Sequence, residues 1–482
     1  EIHSGDWSSD VCSSDLIMFK KDVYIERRKR LKQKLNGGLI VILGNEESAM
    51  NYPGNDYLFR QDSSFLYYFG LDMPGLAGII DIDNDKEYIF GDDVELEDII
   101  WMGPQPSMKE LSYNVGVENS HPSKDLSDFL KKAKNSGQKI HTLPFYRGDN
   151  IIRFADLLGI NHKETENYIS KELILAIIEM RNIKDQYEIE ELEKAAAIGY
   201  EMHVTAMKMC KPGVYEREIS GVIEGITRSH DGMISFPVIL SQHGETLHNH
   251  YHGNMLEEGK LMLTDAGAET TMHYASDFTR TIPVGGKFTE RQKAIYNIVL
   301  EANNKAHEMT KPGVPYFDVH TEAVRTIVKG LNDLGIMQGD VEEAVQAGAH
   351  AMFMPHGLGH PMGLDVHDME GLGENLVGYD EEIQRSSVFG FSGLRFGKRV
   401  QPGNVLTNEP GCYFIPELIE KWQKEKKFEQ FINYDKVNEF VGFGGIRLED
   451  DILVTDEGSR LIGKRSPINP DGVAKTMNSS SV

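Results

Sequence analysis

Short apolar runs punctuate the first third of the chain: "LIVIL" (39–43), "LAGIIDID" (76–83) and "EYIF" (87–90), each bounded by glycine, aspartate or asparagine. Runs of this length read as strands, and the polar stretches between them as helices, so residues 18–165 form an α/β domain. A long helical pattern then opens with "ILAIIEMRNIKDQYEIEELEKAAAIGYEMHVTAMKM" (174–209). The domain boundary is expected just before it, near "NHKETENYIS", with a second domain over 166–465. Residues 466–482, ending "KTMNSSSV", are expected to be a disordered tail. The first seventeen residues, "EIHSGDWSSDVCSSDLI", lack the basic and apolar regions of a signal peptide; they read as an appended or mistranslated leader, with Met18 the natural start.

The second domain contains an internal echo. "MCKPGV" (209–214) and "MTKPGV" (309–314) each end one helical pattern and precede another. "EGKLMLTDAG" (258–267) and "PGNVLTNEPG" (402–411) each carry a glycine six residues before a carboxylate and another two beyond it. Two echoes in the same order predict a duplicated α+β half. They also single out acids on strands otherwise built of core residues: Asp265 and Asp277 in the first half, Glu409 and Glu449 in the second. Arg447 and Glu449 share one strand face by alternation.

Length and charge narrow the class. At 482 residues, two domains are expected, and a formal charge of −25 excludes the basic footprint of a nucleic-acid binder. The basic run "ERRKRLKQKL" (26–35) is expected to be the solvated face of an amphipathic helix. Cys12, Cys210 and Cys412 are too few and scattered for a disulfide framework, which suits a reducing cytoplasm. Apolar runs are far shorter than a membrane span.

The segment "MPHGLGHPMGLDVHD" (354–368) places His356, His360 and His367 within twelve positions. Its glycines and prolines disfavour a helix, so it reads as an irregular turn that presents imidazoles to a cleft. Four converging carboxylates repel one another in a partly dry site, and two divalent cations would cancel their charge. An oxygen-rich set with one imidazole suits Mn²⁺ or Mg²⁺ better than structural zinc.

The order "LTDAG…SDFTRT…HGLGHPMGLDVHD…NEPG…GGIRLEDD" resembles the metallopeptidase family of aminopeptidase P and prolidase, and "FRQDSSFLYYFGLDMPG" (59–75) is similar to its N-terminal domain. The resemblance implies an α/β N-terminal domain plus an α+β pita-bread catalytic domain with an internal pseudo-twofold repeat. It implies metal ligands Asp265, Asp277, His360, Glu409 and Glu449, with Asp277 and Glu449 bridging two ions, most simply Mn²⁺. His248, His356, His367 and Arg447 match positions that contact substrate or stabilise the reaction, and Trp101 resembles a tryptophan near the family's active site. The implied activity is release of the first residue from Xaa-Pro-peptides, by attack of a hydroxide held between the ions, with Glu409 accepting its proton. The implied assembly is a homo-oligomer, dimer or tetramer. Two features depart from the family: the Asp265–Asp277 interval is one residue longer, and Asn408 stands where an apolar or β-branched residue is usual. The dipeptidase, prolidase, is the alternative activity, and a non-catalytic pita-bread binding module the remote one.

Overall fold

The structure, a computed structural model, describes residues 19–479; the leader expected at 1–17 lies outside the described residues. The chain divides into two compact units between Ile177 and Ile178, later than the expected boundary at 165. The polar stretch at 161–170 is not a linker. It folds as a short 3-10 turn, His162–Tyr168, whose end pairs with Thr142: the Thr142 amide donates to the Tyr168 carbonyl and the Ser170 amide to that of Thr142, both at 3.0 Å.

The first unit runs α1 (Lys21–Lys32), β1 (Leu39–Leu43), α2 (Ser63–Phe69), β2 (Ala77–Asp81), β3 (Lys86–Phe90), α3 (Leu96–Met102), α4 (Met108–Asn114), β4 (Asn119–His121), α5 (Leu126–Asn135), β5 (Ile140–His141) and α6 (Gly148–Leu158). Its five strands form one mixed sheet in the order β4-β3-β2-β1-β5, with the expected apolar runs at β1 to β3. Trp101 lies on α3 and is 80% exposed. The basic run behaves differently from its sequence pattern. Arg27 and Arg28 on α1 are buried, and the Arg28 guanidinium donates to the carbonyls of Tyr68, Val115 and Gly116 at 2.7–3.0 Å, beside Glu87. Carbonyls left over at the ends of local structure need donors, and a five-donor fork supplies them where solvent cannot reach.

The second unit begins within α7 (Lys171–Arg181) and continues α8 (Gln186–Met209), α9 (Glu216–Ser229), β6 (Met233–Ile234), β7 (Ile239–Ser241), β8 (Leu261–Ala266), β9 (Ala268–Glu269), β10 (Phe278–Pro283), α10 (Glu290–Met309), α11 (Tyr316–Asp333), α12 (Val341–Ala347), α13 (Glu374–Gly378), β11 (Val405–Asn408), β12 (Gly411–Tyr413), α14 (Pro416–Lys424), α15 (Tyr434–Asn438), β13 (Gly445–Arg447), β14 (Asp450–Val454), β15 (Ser459–Leu461) and α16 (Pro470–Met477). The single helical pattern expected over 174–209 is two helices. Asp185 caps α8 by accepting from the Glu188 amide at 3.0 Å while Glu188 accepts back from the Asp185 amide, and this box starts a new helix. The tail expected to be disordered contains α16: Asn469 caps it, Pro470 occupies its first turn, and Val473 and Met477, one helical step apart, are buried. No helix among the described residues is long and apolar enough to cross a membrane.

The sequence echo is a structural one. After α8 the Gly213 amide donates to the Leu256 carbonyl at 2.9 Å and the Leu256 amide to Val214 at 2.8 Å. After α10 the Gly313 amide donates to Val400 at 2.8 Å and the Val400 amide to Val314 at 3.0 Å. Each Lys-Pro-Gly-Val turn thus clips the loop leading into its own acid-bearing strand, β8 or β11. One apolar core, including Met202, Ile223, Val299 and Ile327, underlies both halves.

Replacing Arg28 by leucine strands three buried carbonyls and is expected to cost about 3 kcal/mol of stability, since removing one partner of a buried charged network is the expensive kind of change. A urea unfolding curve checks it.

Candidate metal centre

β8 and β10 pair antiparallel from Leu261↔Pro283 to Ala266↔Phe278, which brings Asp265 at one strand end beside Asp277 at the other. The longer interval between them leaves this register intact. Backbones come unusually close here: a Cβ on Gly267 would lie 1.8 Å from the Ser276 carbonyl oxygen. In the second half β11 pairs with β14 from Val405↔Leu453 to Asn408↔Asp450, so Glu409 and Glu449 lie just beyond the paired ends. A β-bridge, Thr279↔Glu449, joins the halves beside the acids, with the Glu449 amide donating to the Thr279 carbonyl at 3.0 Å.

The histidine segment is irregular, as its glycines and prolines require. A Cβ on Gly359 would stand 2.0 Å from the Thr407 carbonyl oxygen, so glycine lets the segment lie flat against β11. The His360 amide then bonds the Thr407 hydroxyl at 3.1 Å, and its ring points at the acids.

All nine singled-out residues line one cleft of about 590 Å³: Asp265, Asp277, Glu409 and Glu449, with His248, His356, His360, His367 and Arg447. One ligand atom each from Asp277, His360 and Glu449 lies within 4.8 Å of the others. His360 Nε2 is 3.4 Å from Asp277 Oδ2 and 3.9 Å from Glu409 Oε1. Its Nδ1 donates to the Pro361 carbonyl at 3.1 Å, which leaves the Nε2 lone pair free. His248 stands at the exposed edge.

The electrostatics fit bound cations. Burial, then the charges of Glu449 and Asp265, hold the Asp277 carboxyl well above its usual range. Burial and then Glu409 do the same to Glu449, and burial pushes Glu409 up to about 8. Asp265 Oδ1 and Asp277 Oδ1 are buried with no hydrogen-bond partner, acceptors of the kind a cation satisfies. Burial also holds His356 and His367 down to about 3 and His360 to about 4, which favours the neutral imidazole, the form in which a ring nitrogen can offer a lone pair to a cation.

Two further residues bear on the cleft, Tyr413 from behind its wall and Arg395 on it. The Tyr413 hydroxyl donates to His356 Nε2 at 3.0 Å and accepts from Arg447 Nη1 at 2.9 Å, while Arg447 Nη2 pairs with Asp265 and its Nε with the Thr279 hydroxyl at 3.1 Å. Arg395 lines the cleft with its Nε engaged by Glu370 at 3.2 Å and Glu374 at 3.1 Å. Neither was evident from sequence. Tyr413 sits four residues after Glu409 on a strand of core residues, and Arg395 lies in a loop, "LRFGKR", with no periodicity to aim it.

Residues 190–456 match the model of metallopeptidase family M24, more than half of the chain. The chain belongs to that family. Residues 24–141 of this M24 protein match the N-terminal domain of aminopeptidase P. It is 34% identical over 455 residues to Xaa-Pro dipeptidase of Homo sapiens, covering 90% of this chain and 89% of the relative. It is 33% identical over 440 residues to the probable Xaa-Pro aminopeptidase PEPP of Leptosphaeria maculans, covering 90% of this chain and 72% of that one. The structure of aminopeptidase P from E. coli with the inhibitor Pro-Leu superposes with a TM-score of 0.77 at 28% identity, covering 95% of this chain and 98% of the other. The expected fold class stands: an α/β N-terminal domain and a pita-bread catalytic domain with two related halves. As an M24 metallopeptidase the protein is a hydrolase.

The close approach at Gly267 makes the hairpin intolerant of any side chain. Gly267→Ala is expected to lower the unfolding free energy by about 2–3 kcal/mol, the range for overpacking a tight site, and a thermal melt of the variant beside the wild type measures it.

Proposed function

We propose that this M24 protein is an Xaa-Pro exopeptidase holding two divalent ions, Mn²⁺ by preference, on Asp265, Asp277, His360, Glu409 and Glu449. The four carboxylates match the charge of two such ions, and the orphaned oxygens of Asp265 and Asp277 support the assignment. Bound there, the ions would supply Lewis acidity, polarising the scissile carbonyl and activating a water. Glu409 is the most open of the four acids, with 20% of its side chain exposed, and is therefore the one able to take a proton and pass it on. His356, fixed by Tyr413 and by its own bond to the Gly357 carbonyl at 2.7 Å, and His367, fixed by Glu370 at 2.5 Å, have their Nδ1–H groups engaged, so each would donate to a developing oxyanion only through an Nε2 that has taken up a proton. Arg447 balances Asp265, and His248 meets the substrate at the rim. Phe236, Leu247 and Val366 give the cleft an apolar wall suited to a proline ring, whose nitrogen has no N–H to recognise.

Sequence alone favoured cleavage of longer peptides, as an Xaa-Pro aminopeptidase. Arg395 tips the reading to the dipeptide. A dipeptide ends in a carboxylate directly after proline, whereas a longer peptide has a neutral amide there, and a guanidinium on the cleft wall recognises the former. The aminopeptidase remains the second reading, supported by the likeness to aminopeptidase P across both domains. A non-catalytic role is disfavoured by the complete acid and imidazole set.

Chelator-treated protein restored with Mn²⁺ is expected to cleave Ala-Pro faster than Ala-Pro-Ala; efficient cleavage of the tripeptide alone would establish the aminopeptidase instead. Arg395→Met should raise KM for Ala-Pro by about 10- to 100-fold, the worth of one charged hydrogen-bonded contact. Glu409→Gln is expected to abolish turnover, and a kcat near wild type with Mn²⁺ would remove it from the proton path.

A further inference from the structure

Asn408, the residue out of place before Glu409, leads to a side chain on the neighbouring helix. Asn408 Nδ2 donates to the Asn303 carbonyl at 2.9 Å, and Asn303 Nδ2 donates back to the Asn408 carbonyl at 3.1 Å and to the Leu448 carbonyl at 3.0 Å. Those two carbonyls belong to the residues immediately before Glu409 and Glu449. Asn303 Oδ1 accepts from Arg465 Nη2 at 2.7 Å, which fixes the amide with its NH₂ toward both strands. Arg465 is itself anchored on Asp450 at 2.8 Å. Asn303 and Asn408 are both fully buried.

The other half has a counterpart. Asn303 on α10 stands six residues before Met309 of the repeated turn, and His203 on α8 stands six before Met209. His203 is also buried, its Nε2 donates to the Ala266 carbonyl at 3.0 Å, and its ring packs edge-on against Phe278 with centroids 6.2 Å apart. Ala266 follows Asp265 and Phe278 follows Asp277. Each half thus sends one polar side chain from the same repeat position of its long helix to the residues beside its acids: Asn303 to the backbone before both Glu409 and Glu449, His203 to the backbone after Asp265 and the ring after Asp277.

A buried polar group is costlier than an apolar one of the same shape unless its bonds do something packing cannot. We propose that Asn303 is the positioning residue that sets Glu409 and Glu449 relative to each other, and that His203 does the same for Asp265 and Asp277. The inference rests on the metal-ligand reading above and adds to it the residues that hold the ligands in register. Groups one shell out from a metal change its affinity by about 10- to 100-fold when lost.

The test uses the full chain, stripped with chelator and titrated with Mn²⁺ alone by calorimetry. Asn303→Leu, close in volume but with no donor, is expected to weaken Mn²⁺ binding by about 10- to 100-fold, and to lower kcat more than it raises KM. The metal-free variant should melt within a few degrees of the wild type. Should Asn303→Leu fail to fold, Arg465→Met frees the amide from its partly exposed end and is expected to shift Mn²⁺ affinity the same way, less strongly. Unchanged Mn²⁺ affinity in the folded variant overturns the inference while leaving the ligand assignment standing. Wild-type protein that takes up no Mn²⁺ overturns the ligand assignment, and this inference with it.

Discussion

Two like charges four to five ångströms apart repel by about 3–4 kcal/mol at an effective dielectric near 20, and the cleft holds an oxygen each of Asp277 and Glu449 within 4.8 Å, with Asp265 and Glu409 lining the same wall. Little in the protein relieves this. Arg447 meets Asp265, and Arg280 meets Asp450, a neighbour of Glu449 in the chain rather than Glu449 itself. The fold therefore spends its strand pairing, a buried amide and a buried imidazole on forcing together groups that would separate if free. The arrangement is held by backbone, and cations bound among the acids would offset their repulsion.

The duplicated halves solve the positioning problem twice with different residues. Both use an antiparallel strand pair with an acid at each open end, a Lys-Pro-Gly-Val turn clipping the incoming loop, and a polar side chain reaching from a long helix. His203 and Asn303 share a place but not a chemistry. An imidazole donating one bond suits a hairpin whose two ends are already adjacent in register. An amide donating two suits strands whose acids come from separate segments, forty residues apart.

Much of this was legible in the sequence, for identifiable reasons. Asp265 and Glu409 end apolar runs in repeated contexts, and the histidine segment carries glycines that only a close approach would demand; such local patterns expose the acids and the three imidazoles of that segment, whereas His250, which also lines the cleft, was not singled out. Arg395 and Tyr413 escaped because their roles depend on which chain segments meet, and no period in "LRFGKR" or "EPGCYF" encodes that. The burial of Arg27 and Arg28 escaped because a run of basic residues normally marks a solvated face, and here leftover carbonyls elsewhere in the first unit draw it inward. The tail erred in the other direction: its serines obscured Asn469 and Pro470, an ordinary helix start, and the apolar step from Val473 to Met477.

The bridge between Thr279 and Glu449 also fixes an order of events as the chain is made. Synthesis proceeds from the N-terminus at about 5–20 residues per second, so the hairpin bearing Asp265 and Asp277 emerges well before the strand that completes the cleft. Until then Asp265 and Asp277 are without His360, Glu409 and Glu449, the residues they meet in the finished fold. Glu449 lies within the last tenth of the chain, and a nascent or truncated product that stops short of it lacks both this acid and part of the apolar core that the two halves share. Completing the acid set thereby requires nearly the whole chain to be made.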